Sequence, residues 1–167
     1  MKNEYDNEHF FEQYAQMARS RYGLSGAGEW HQLKEMFPPL KGSRVLDLGC
    51  GYGWHCKYAV NQGAEEVLGM DVSVRMIEEA KKRNADSRIT YRTGSLEEYE
   101  YPEETWDCVV SNLALHYVED IESVYRLVYR TLKKGGTFLF NIEHPVFTSR
   151  VREDWIYDEN GDPLYWP

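Results

Sequence analysis

The sequence contains no long apolar run and no cluster of basic residues. Its mean hydropathy is −0.66, and 19 Lys and Arg face 28 Asp and Glu, a formal net charge of −9. No segment reaches the roughly 20 apolar residues that a membrane-spanning helix needs. An acidic chain is also unsuited to the phosphate backbone of a nucleic acid. We therefore expect neither a membrane nor a nucleic acid as a partner.

Cysteine is scarce as well. The three cysteines, Cys50, Cys56 and Cys108, are odd in number and show no C-x-x-C spacing. This excludes a disulfide framework and the usual zinc patterns, so we expect reduced thiols. His55 beside Cys56 is more often a packing residue than a metal ligand, and no metal site is expected. Residues 1–8 are polar and acidic, unlike a secretory leader, and a cytoplasmic location follows.

The most informative stretch is a glycine-rich segment after an apolar one. Residues 45–53 read Val-Leu-Asp-Leu-Gly-Cys-Gly-Tyr-Gly, and a helix-like run follows from Trp54. This pattern predicts a buried strand, a tight turn and the start of a helix, where a ligand can touch bare backbone. Glycines suit the turn because it takes backbone angles that other residues resist.

An acidic residue, Asp71, lies 20 residues after Gly51, at the end of the next predicted strand. A carboxylate there can accept hydrogen bonds from both hydroxyls of a ribose. The third glycine position of an NAD fingerprint is occupied by Trp54, and Asp47 adds a negative charge beside the loop. That charge disfavours a pyrophosphate and favours an ammonium group. S-adenosylmethionine has an ammonium, a ribose and no phosphate, so the loop predicts a site for this cofactor.

Over residues 40–145 the chain resembles the class I (Rossmann-like) S-adenosylmethionine-dependent methyltransferases. Asp47 and the three loop glycines match the first motif of that family, and Asp71 matches its ribose acid. Three later segments fall where the family contacts adenine, forms its fourth strand and turns before its fifth: Gly94-Ser95-Leu96, residues 106–112 and residues 132–136. The resemblance implies a three-layer α/β fold with a doubly wound, mostly parallel sheet.

The resemblance also implies site residues. Those expected at the cofactor are Asp47, Gly49, Cys50, Gly51, Asp71, Val72, Met76, Ser95, Leu96 and Asn112. Segments before the first strand shape the acceptor pocket in this family, which implies Tyr14, Arg21, Tyr22 and Trp30 as substrate residues. The candidate catalytic residues near the carboxyl ends of the last strands are His116, Glu143 and His144.

Several of these residues have simpler interpretations. Asp47 could cap the following helix, and Asp71 or Asn112 could be turn residues. His116 lies on an amphipathic stretch and could face the core. Phe10 and Phe11 fit an apolar helix face that packs on the sheet.

Periodicity predicts the order of the elements. Strands are expected at 44–48, 66–70, 88–92, 106–111 and 136–142. Helices are expected at 8–22, 29–36, 53–62, 74–84 and 120–132, with a shorter one near 96–99 or 113–117, and Ser73 is a candidate N-cap. We divide the chain into an N-terminal helical cap (1–40), a cofactor-binding core (41–145) and an aromatic hairpin or lid (146–167), within a single domain.

The implied function is transfer of a methyl group from S-adenosylmethionine to a small molecule by in-line displacement. Such an enzyme needs alignment and water exclusion rather than a triad or a metal. Ser111-Asn112-Leu113-Ala114 lacks the Pro-Pro-aromatic turn of amino methyltransferases that act on nucleic acid or protein. A cofactor-binding or partner-binding module without turnover is the alternative, since fold does not fix function.

The last part of the sequence raises two expectations. Asn160-Gly161 lies between aromatic runs, which predicts a short or irregular hairpin over residues 155–166, folded over the acceptor side of the cleft. We expect no counterpart of the antiparallel strand pair that ends this fold, which would leave strand 137–142 at an edge. That strand is apolar and uncharged, so a homodimer through it is possible.

Overall fold

A computed structural model describes residues 4–144, 156–159 and 163–165. In these residues, five parallel strands form one sheet in the order β3-β2-β1-β4-β5. The strands are β1 (Arg44–Leu48), β2 (Glu66–Asp71), β3 (Ile89–Thr93), β4 (Trp106–Asn112) and β5 (Leu132–Asn141). This confirms the expected doubly wound parallel sheet.

Six α-helices accompany the sheet in the described residues: α1 (Glu8–Gln16), α2 (Ala18–Tyr22), α3 (Trp30–Leu33), α4 (Trp54–Asn61), α5 (Val74–Arg83) and α6 (Ile121–Thr131). Helices α4, α5 and α6 connect successive parallel strands, and side-chain caps mark the starts of the last two. Ser73 Oγ accepts a hydrogen bond from Met76 N–H at 3.1 Å, and Asp120 caps α6 through Ser123 N–H. The predicted N-cap at Ser73 is therefore confirmed.

The sheet separates two apolar layers. Val45 packs with Ala59 and Val60 of α4 on one face, whereas Leu46 packs with Val124 and Val128 of α6 on the other. Successive side chains of a strand point to opposite faces, so a strand buried on both sides is apolar throughout. This arrangement gives the three layers that the resemblance implies.

Three elements differ from the sequence expectations. The predicted helix at 8–22 is interrupted at Met17, whose extended backbone (ψ 148°) separates α1 from α2. Strand β5 begins at Leu132 rather than near 136, with an irregular register before Thr137. The helix expected at 29–36 is α3 followed by a 3-10 helix at Lys34–Met36. The short helix expected near 96–99 or 113–117 is the 3-10 helix Leu115–Tyr117. Helical periodicity alone cannot reveal the first break, because an extended residue leaves the pattern on either side intact.

The tail contains a separate antiparallel pair, β6 (Ile156–Tyr157) with β7 (Pro163–Tyr165), in an irregular register. This confirms the short, irregular hairpin. Its Asn160-Gly161 turn and residues 145–155 lie outside the described residues. The position of the hairpin over the cleft and the three-part division of the chain stay predictions.

The parallel sheet places several loops at one edge. Strands β1, β2 and β4 end at Leu48, Asp71 and Asn112, and the carboxyl ends of parallel strands share an edge. The glycine loop, Asp71 and Asn112 are thereby neighbours. Within the described part of the chain, no helix combines the length and apolarity required to span a bilayer.

Candidate functional site

The glycine loop and Asp71 are joined directly. Asp71 Oδ2 accepts a hydrogen bond from Gly51 N–H at 2.9 Å, and its Oδ1 accepts one from Ser73 N–H at 2.9 Å. Burial raises the pKa of Asp71, although these two backbone hydrogen bonds oppose the shift. Each oxygen retains a second acceptor position for a hydroxyl donor. Asp71 is thus held in one orientation by the backbone, and its contact with a ribose stays a prediction.

The three loop glycines have different reasons to be glycine, although each has a positive φ. A Cβ on Gly49 would lie 2.3 Å from Ala114 Cβ, and one on Gly53 would lie 2.3 Å from the Tyr91 hydroxyl oxygen. A Cβ on Gly51 would meet no atom within 4 Å. Gly49 and Gly53 therefore serve packing within the protein, while Gly51 faces open space where a ligand can approach the backbone.

An open cavity lies between this loop and the N-terminal segment. The lining comes from both parts of the chain: Tyr14, Arg19, Ser20, Gly23, Leu24, Ala27, Gly49, Cys50, Gly51, Tyr52, Trp54, His55 and Asn112. Of the sequence candidates, it brings together Tyr14, Gly49, Cys50, Gly51 and Asn112.

Three of the lining side chains carry buried polar atoms without a hydrogen-bond partner among the described residues. They are Ser20 Oγ, Tyr52 Oη and Trp54 Nε1. Buried polar groups are normally satisfied, so such atoms in a cavity wall mark places where a polar ligand or water fits. Arg19 adds a positive charge to the same wall. That charge is paired with the Glu29 carboxylate at 3.0 Å.

Asp47 lies beneath the loop and does not line the cavity. It is fully buried, its Oδ2 accepts a hydrogen bond from the Cys56 thiol at 3.2 Å, and its Oδ1 has no partner among the described residues. Burial raises the pKa of Asp47 to about 7, while the thiol hydrogen bond opposes the shift. A role at the cofactor ammonium stays a prediction, and the observed contacts are those of a group supporting the loop from below.

The N-terminal segment crosses the cleft. Asp6 Oδ1 accepts hydrogen bonds from Ser73 Oγ at 2.6 Å and from Arg75 N–H at 3.3 Å, at the start of α5. The hydroxyl oxygens of Tyr5 and Tyr117 are 3.2 Å apart, which connects the same segment to the chain that follows β4. The segment therefore covers the carboxyl edge of the sheet from the β2 side to the β4 side.

The other residues expected at the cofactor lie near the ends of β2 and β3. Val72 is half exposed, whereas Met76 is buried within α5. Ser95 Oγ accepts a hydrogen bond from Glu97 N–H, and the Leu96 carbonyl accepts one from the Tyr101 hydroxyl. Ser95 and Leu96 thus form an ordered turn beside Asp71, and their contact with a base stays a prediction.

The three candidate catalytic residues do not lie together around the cavity. The His116 ring packs on Tyr117 at 4.3 Å between centroids, and its buried Nδ1 has no hydrogen-bond partner in the described part of the chain. Glu143 and His144 are exposed beyond the end of β5. The three residues do not line the cavity described above. Their catalytic roles stay predictions.

Of the N-terminal substrate candidates, only Tyr14 lines this cavity. Arg21 is exposed and donates a hydrogen bond to Gln16, and Tyr22 is 68% exposed beside a second, shallower depression. Trp30 packs edge-on against Tyr58 with 4.7 Å between ring centroids. Their substrate roles stay predictions.

Sequence reasoning missed Arg19 and Glu29. Both belong to the segment before β1, and Arg19 follows the break at Met17 that helical periodicity does not reveal. Glu29 N-caps α3 by position, so its sequence context indicates only the start of a helix. One feature of the sequence could have identified them: Arg19 and Glu29 carry opposite charges in a segment that was expected to cover the cofactor.

The described residues contain no cluster of three or more His, Cys, Asp or Glu side chains able to hold a metal ion. His55 packs among aromatic rings, stacked on Phe37 at 6.4 Å. Burial lowers the pKa of His55 to about 4, so its ring is neutral at physiological pH. His55 therefore contributes an uncharged side chain to the lining of the cavity.

The family model for the methyltransferase domain matches residues 46–140 of the chain. The matched region contains the glycine loop, Asp71 and the end of β4. The chain belongs to the methyltransferase-domain family. This membership confirms the resemblance to class I S-adenosylmethionine-dependent methyltransferases and the class of cofactor.

Solved structures agree with the family. A crystal structure from Listeria monocytogenes, named for a proposed S-adenosylmethionine-dependent methyltransferase, is 46% identical with a TM-score of 0.78. An S-adenosylmethionine-dependent methyltransferase from Mesorhizobium loti is 42% identical with a TM-score of 0.79. The alignments cover 84% and 87% of this chain, and 66% of each of those chains.

Curated relatives have diverse names. An uncharacterized Haemophilus influenzae protein is 33% identical over 150 residues, which are 86% of this chain and 59% of the relative. A malonyl-[acyl-carrier protein] O-methyltransferase from Hamiltonella defensa is 31% identical, covering 66% of this chain and 42% of its own. A phosphoethanolamine N-methyltransferase from Arabidopsis thaliana is 29% identical, covering 70% and 24%. The chain thus spans about three fifths or less of these curated relatives.

Proposed function

We propose that this chain binds S-adenosylmethionine in the described cavity and catalyses methyl transfer to a small-molecule acceptor. The observation that carries the proposal is the contact between Gly51 N–H and Asp71 Oδ2 beside open space at Gly51. It provides bare backbone and a ribose acceptor at one point, next to a cavity with unpartnered polar atoms. These features fit the cofactor of the family.

Different residues would hold the ribose, the base and the methionine portion of the cofactor. Asp71 would accept the ribose hydroxyls, and the turn at Ser95 and Leu96 would contact the base. The backbone of Gly49 and Gly51 would follow the methionine portion, whose carboxylate would meet Arg19. Charge-assisted hydrogen bonds from an arginine to a carboxylate are among the strong ones.

When bound, S-adenosylmethionine supplies a methyl group already activated by its sulfonium. The protein then needs to align the acceptor, exclude water and take a proton where the acceptor carries one. The N-terminal segment, anchored through Asp6 and Tyr5, would exclude water from above the loop. His116, which lies in the turn after β4, is our candidate for the proton acceptor.

The acceptor is proposed to be a small molecule. An acidic chain argues against a nucleic-acid substrate. Two of the relatives named above are a malonyl-[acyl-carrier protein] O-methyltransferase and a phosphoethanolamine N-methyltransferase. Isothermal titration with S-adenosylhomocysteine tests the cofactor. Transfer of labelled methyl groups to panels of carboxylic acids and amines tests the acceptor. Cofactor binding without transfer to any acceptor would instead support a module without turnover.

Location and assembly are also proposed. All three cysteines are free and buried, which suits a reducing cytoplasm. Strand β5 lies at an edge of the sheet formed by the described residues, and Phe140 and Ile142 are 42% and 38% exposed. An apolar edge strand is a template for pairing with another chain. A homodimer through residues 137–142 would cover this edge.

A further inference from the structure

Glu29 connects the two parts of the chain that enclose the cavity. Its Oε1 accepts a hydrogen bond from Asn112 Nδ2 at 2.8 Å, and its Oε2 accepts one from Arg19 Nη2 at 3.0 Å. Asn112 ends β4, whereas Arg19 belongs to α2 of the N-terminal segment. Both partners line the cavity. One carboxylate thus fixes two opposite parts of the cavity wall.

The network extends across the edge of the sheet. Asn141 Nδ2 donates to Asn112 Oδ1 at 2.9 Å, and Leu113 N–H donates to the Asn141 carbonyl at 2.8 Å. An ionised carboxylate only accepts hydrogen bonds, so the amide nitrogen of Asn112 must face Glu29. Its oxygen must then face Asn141. The orientation of the Asn112 amide is therefore determined by Glu29 on one side and by Asn141 on the other.

Glu29 carries a charge in a partly enclosed place. Its side chain is 22% exposed, and that of Arg19 is 25% exposed. Burial raises the pKa of Glu29, but the hydrogen bond from Asn112 and the charge of Arg19 outweigh it and hold the pKa below its usual range. The group is ionised at neutral pH. Hydrogen bonds to an ionised group are stronger than those between neutral groups.

We propose that Glu29 is a positioning residue of the cofactor site, which holds the Arg19 guanidinium and the Asn112 amide in the orientations that a bound cofactor meets. The proposal rests on the proposed function. Without Glu29, the guanidinium of Arg19 and the amide of Asn112 would each lose a partner and adopt other rotamers.

A simpler interpretation is that Glu29 only adds stability. Partly exposed ion pairs contribute little to stability. The two interpretations differ in what a folded variant does: a stabilising residue affects unfolding, whereas a positioning residue changes the affinity of the folded protein for the cofactor.

The test measures S-adenosylhomocysteine affinity by isothermal titration, well below each variant's unfolding temperature. Glu29→Ala removes both contacts and should weaken binding about tenfold, the effect of losing one charge-assisted hydrogen bond. Asn112→Asp would place two carboxylates opposite each other and should weaken binding at least as much. In the double variant Glu29→Gln with Asn112→Asp, the glutamine amide would donate to the new carboxylate. The bond re-forms in reverse, and affinity should recover at least about threefold relative to Asn112→Asp alone.

Glu66→Gln is the matched control. Glu66 pairs with Arg44 at 2.7 Å at the opposite end of the strands, in a more exposed place, with 49% of its side chain accessible. This variant should keep the wild-type affinity. Folded Glu29→Ala with wild-type affinity, or a double variant no better than Asn112→Asp, would overturn the proposal. If the folded wild-type chain does not bind S-adenosylhomocysteine, the proposed function itself fails, and the positioning role fails with it.

Discussion

Gly51 and Asp71 meet at 2.9 Å, backbone N–H to carboxylate Oδ2, although they are 20 residues apart in the chain. This hydrogen bond joins the loop after β1 to the end of β2. It gives the carboxylate two tasks, since Asp71 both holds the loop and offers its remaining lone pairs to a ligand. The loop and the proposed ribose contact are therefore a single unit.

Substitution of Asp71 should weaken cofactor binding. Asp71→Asn keeps the shape but loses the charge and one of the two backbone acceptors. We expect S-adenosylhomocysteine affinity to fall about ten- to a hundredfold, as loss of a hydrogen bond to a charged group implies. Isothermal titration measures this. Asp120→Asn is the control, because it makes the same change at the carboxylate that caps α6 and does not line the cavity. Equal affinities in the two variants would refute the assignment.

Substitutions of two loop glycines should have different effects, one on the stability of the fold and the other on cofactor binding. In Gly49→Ala the new methyl group would overlap Ala114, which should destabilise the fold by about 1–3 kcal/mol beyond the cost of the positive φ. Gly51→Ala meets no atom, so only the backbone cost of about 1–2 kcal/mol applies, but the methyl group would enter the proposed ligand space. Thermal unfolding should rank Gly49→Ala as less stable, and titration should show lost binding in Gly51→Ala. The reverse ranking would contradict this view of the loop.

Asp47 should make stability depend on pH. Its pKa is about 7 in the folded chain and near 3.8 when unfolded, so between these values the folded state keeps a proton that the unfolded state has released. The contribution of Asp47 to the free energy of unfolding is therefore largest below pH about 4. It declines as the pH rises to about 7 and is constant above that value. Asp47→Asn removes this decline.

The measurement is chemical unfolding of the wild type and Asp47→Asn between pH 4 and 8. The stability difference in favour of Asp47→Asn should grow up to pH about 7, by at most about 1.4 kcal/mol per pH unit for one proton. Asp86→Asn is the control, because the hydrogen bonds from Arg88 hold the pKa of Asp86 below its usual range. Any effect of that control should be confined to acidic pH. A pH-independent difference for Asp47→Asn would show that Asp47 stays ionised.

The β5 edge should govern self-association. Phe140→Lys places a charge on the exposed apolar edge, and sedimentation of the wild type should show a dimer that this variant lacks. Val74→Lys is the matched control, since Val74 is 51% exposed at the start of α5, which contacts β2 and β3 at the other side of the sheet. A wild-type chain that sediments as a monomer at all concentrations would exclude the homodimer.

The sequence by itself determined the local units and their order. An apolar strand, a glycine turn and a helix start are set by backbone preferences within a few residues, as are the N-cap at Ser73 and the alternation of strands and helices. Because parallel strands end at one edge, those units also predicted that the glycine loop, Asp71 and Asn112 would be neighbours.

Only the tertiary structure decided how side chains from distant segments combine. Glu29 and Asn112 are 83 residues apart, and no pattern in the sequence pairs them. The contact between Gly49 and Ala114, the complete burial of Asp47 and the break at Met17 likewise depend on how the N-terminal segment and the loops pack. Local preferences determine where an element begins and ends, whereas packing decides which polar groups lose water and must find partners in the protein.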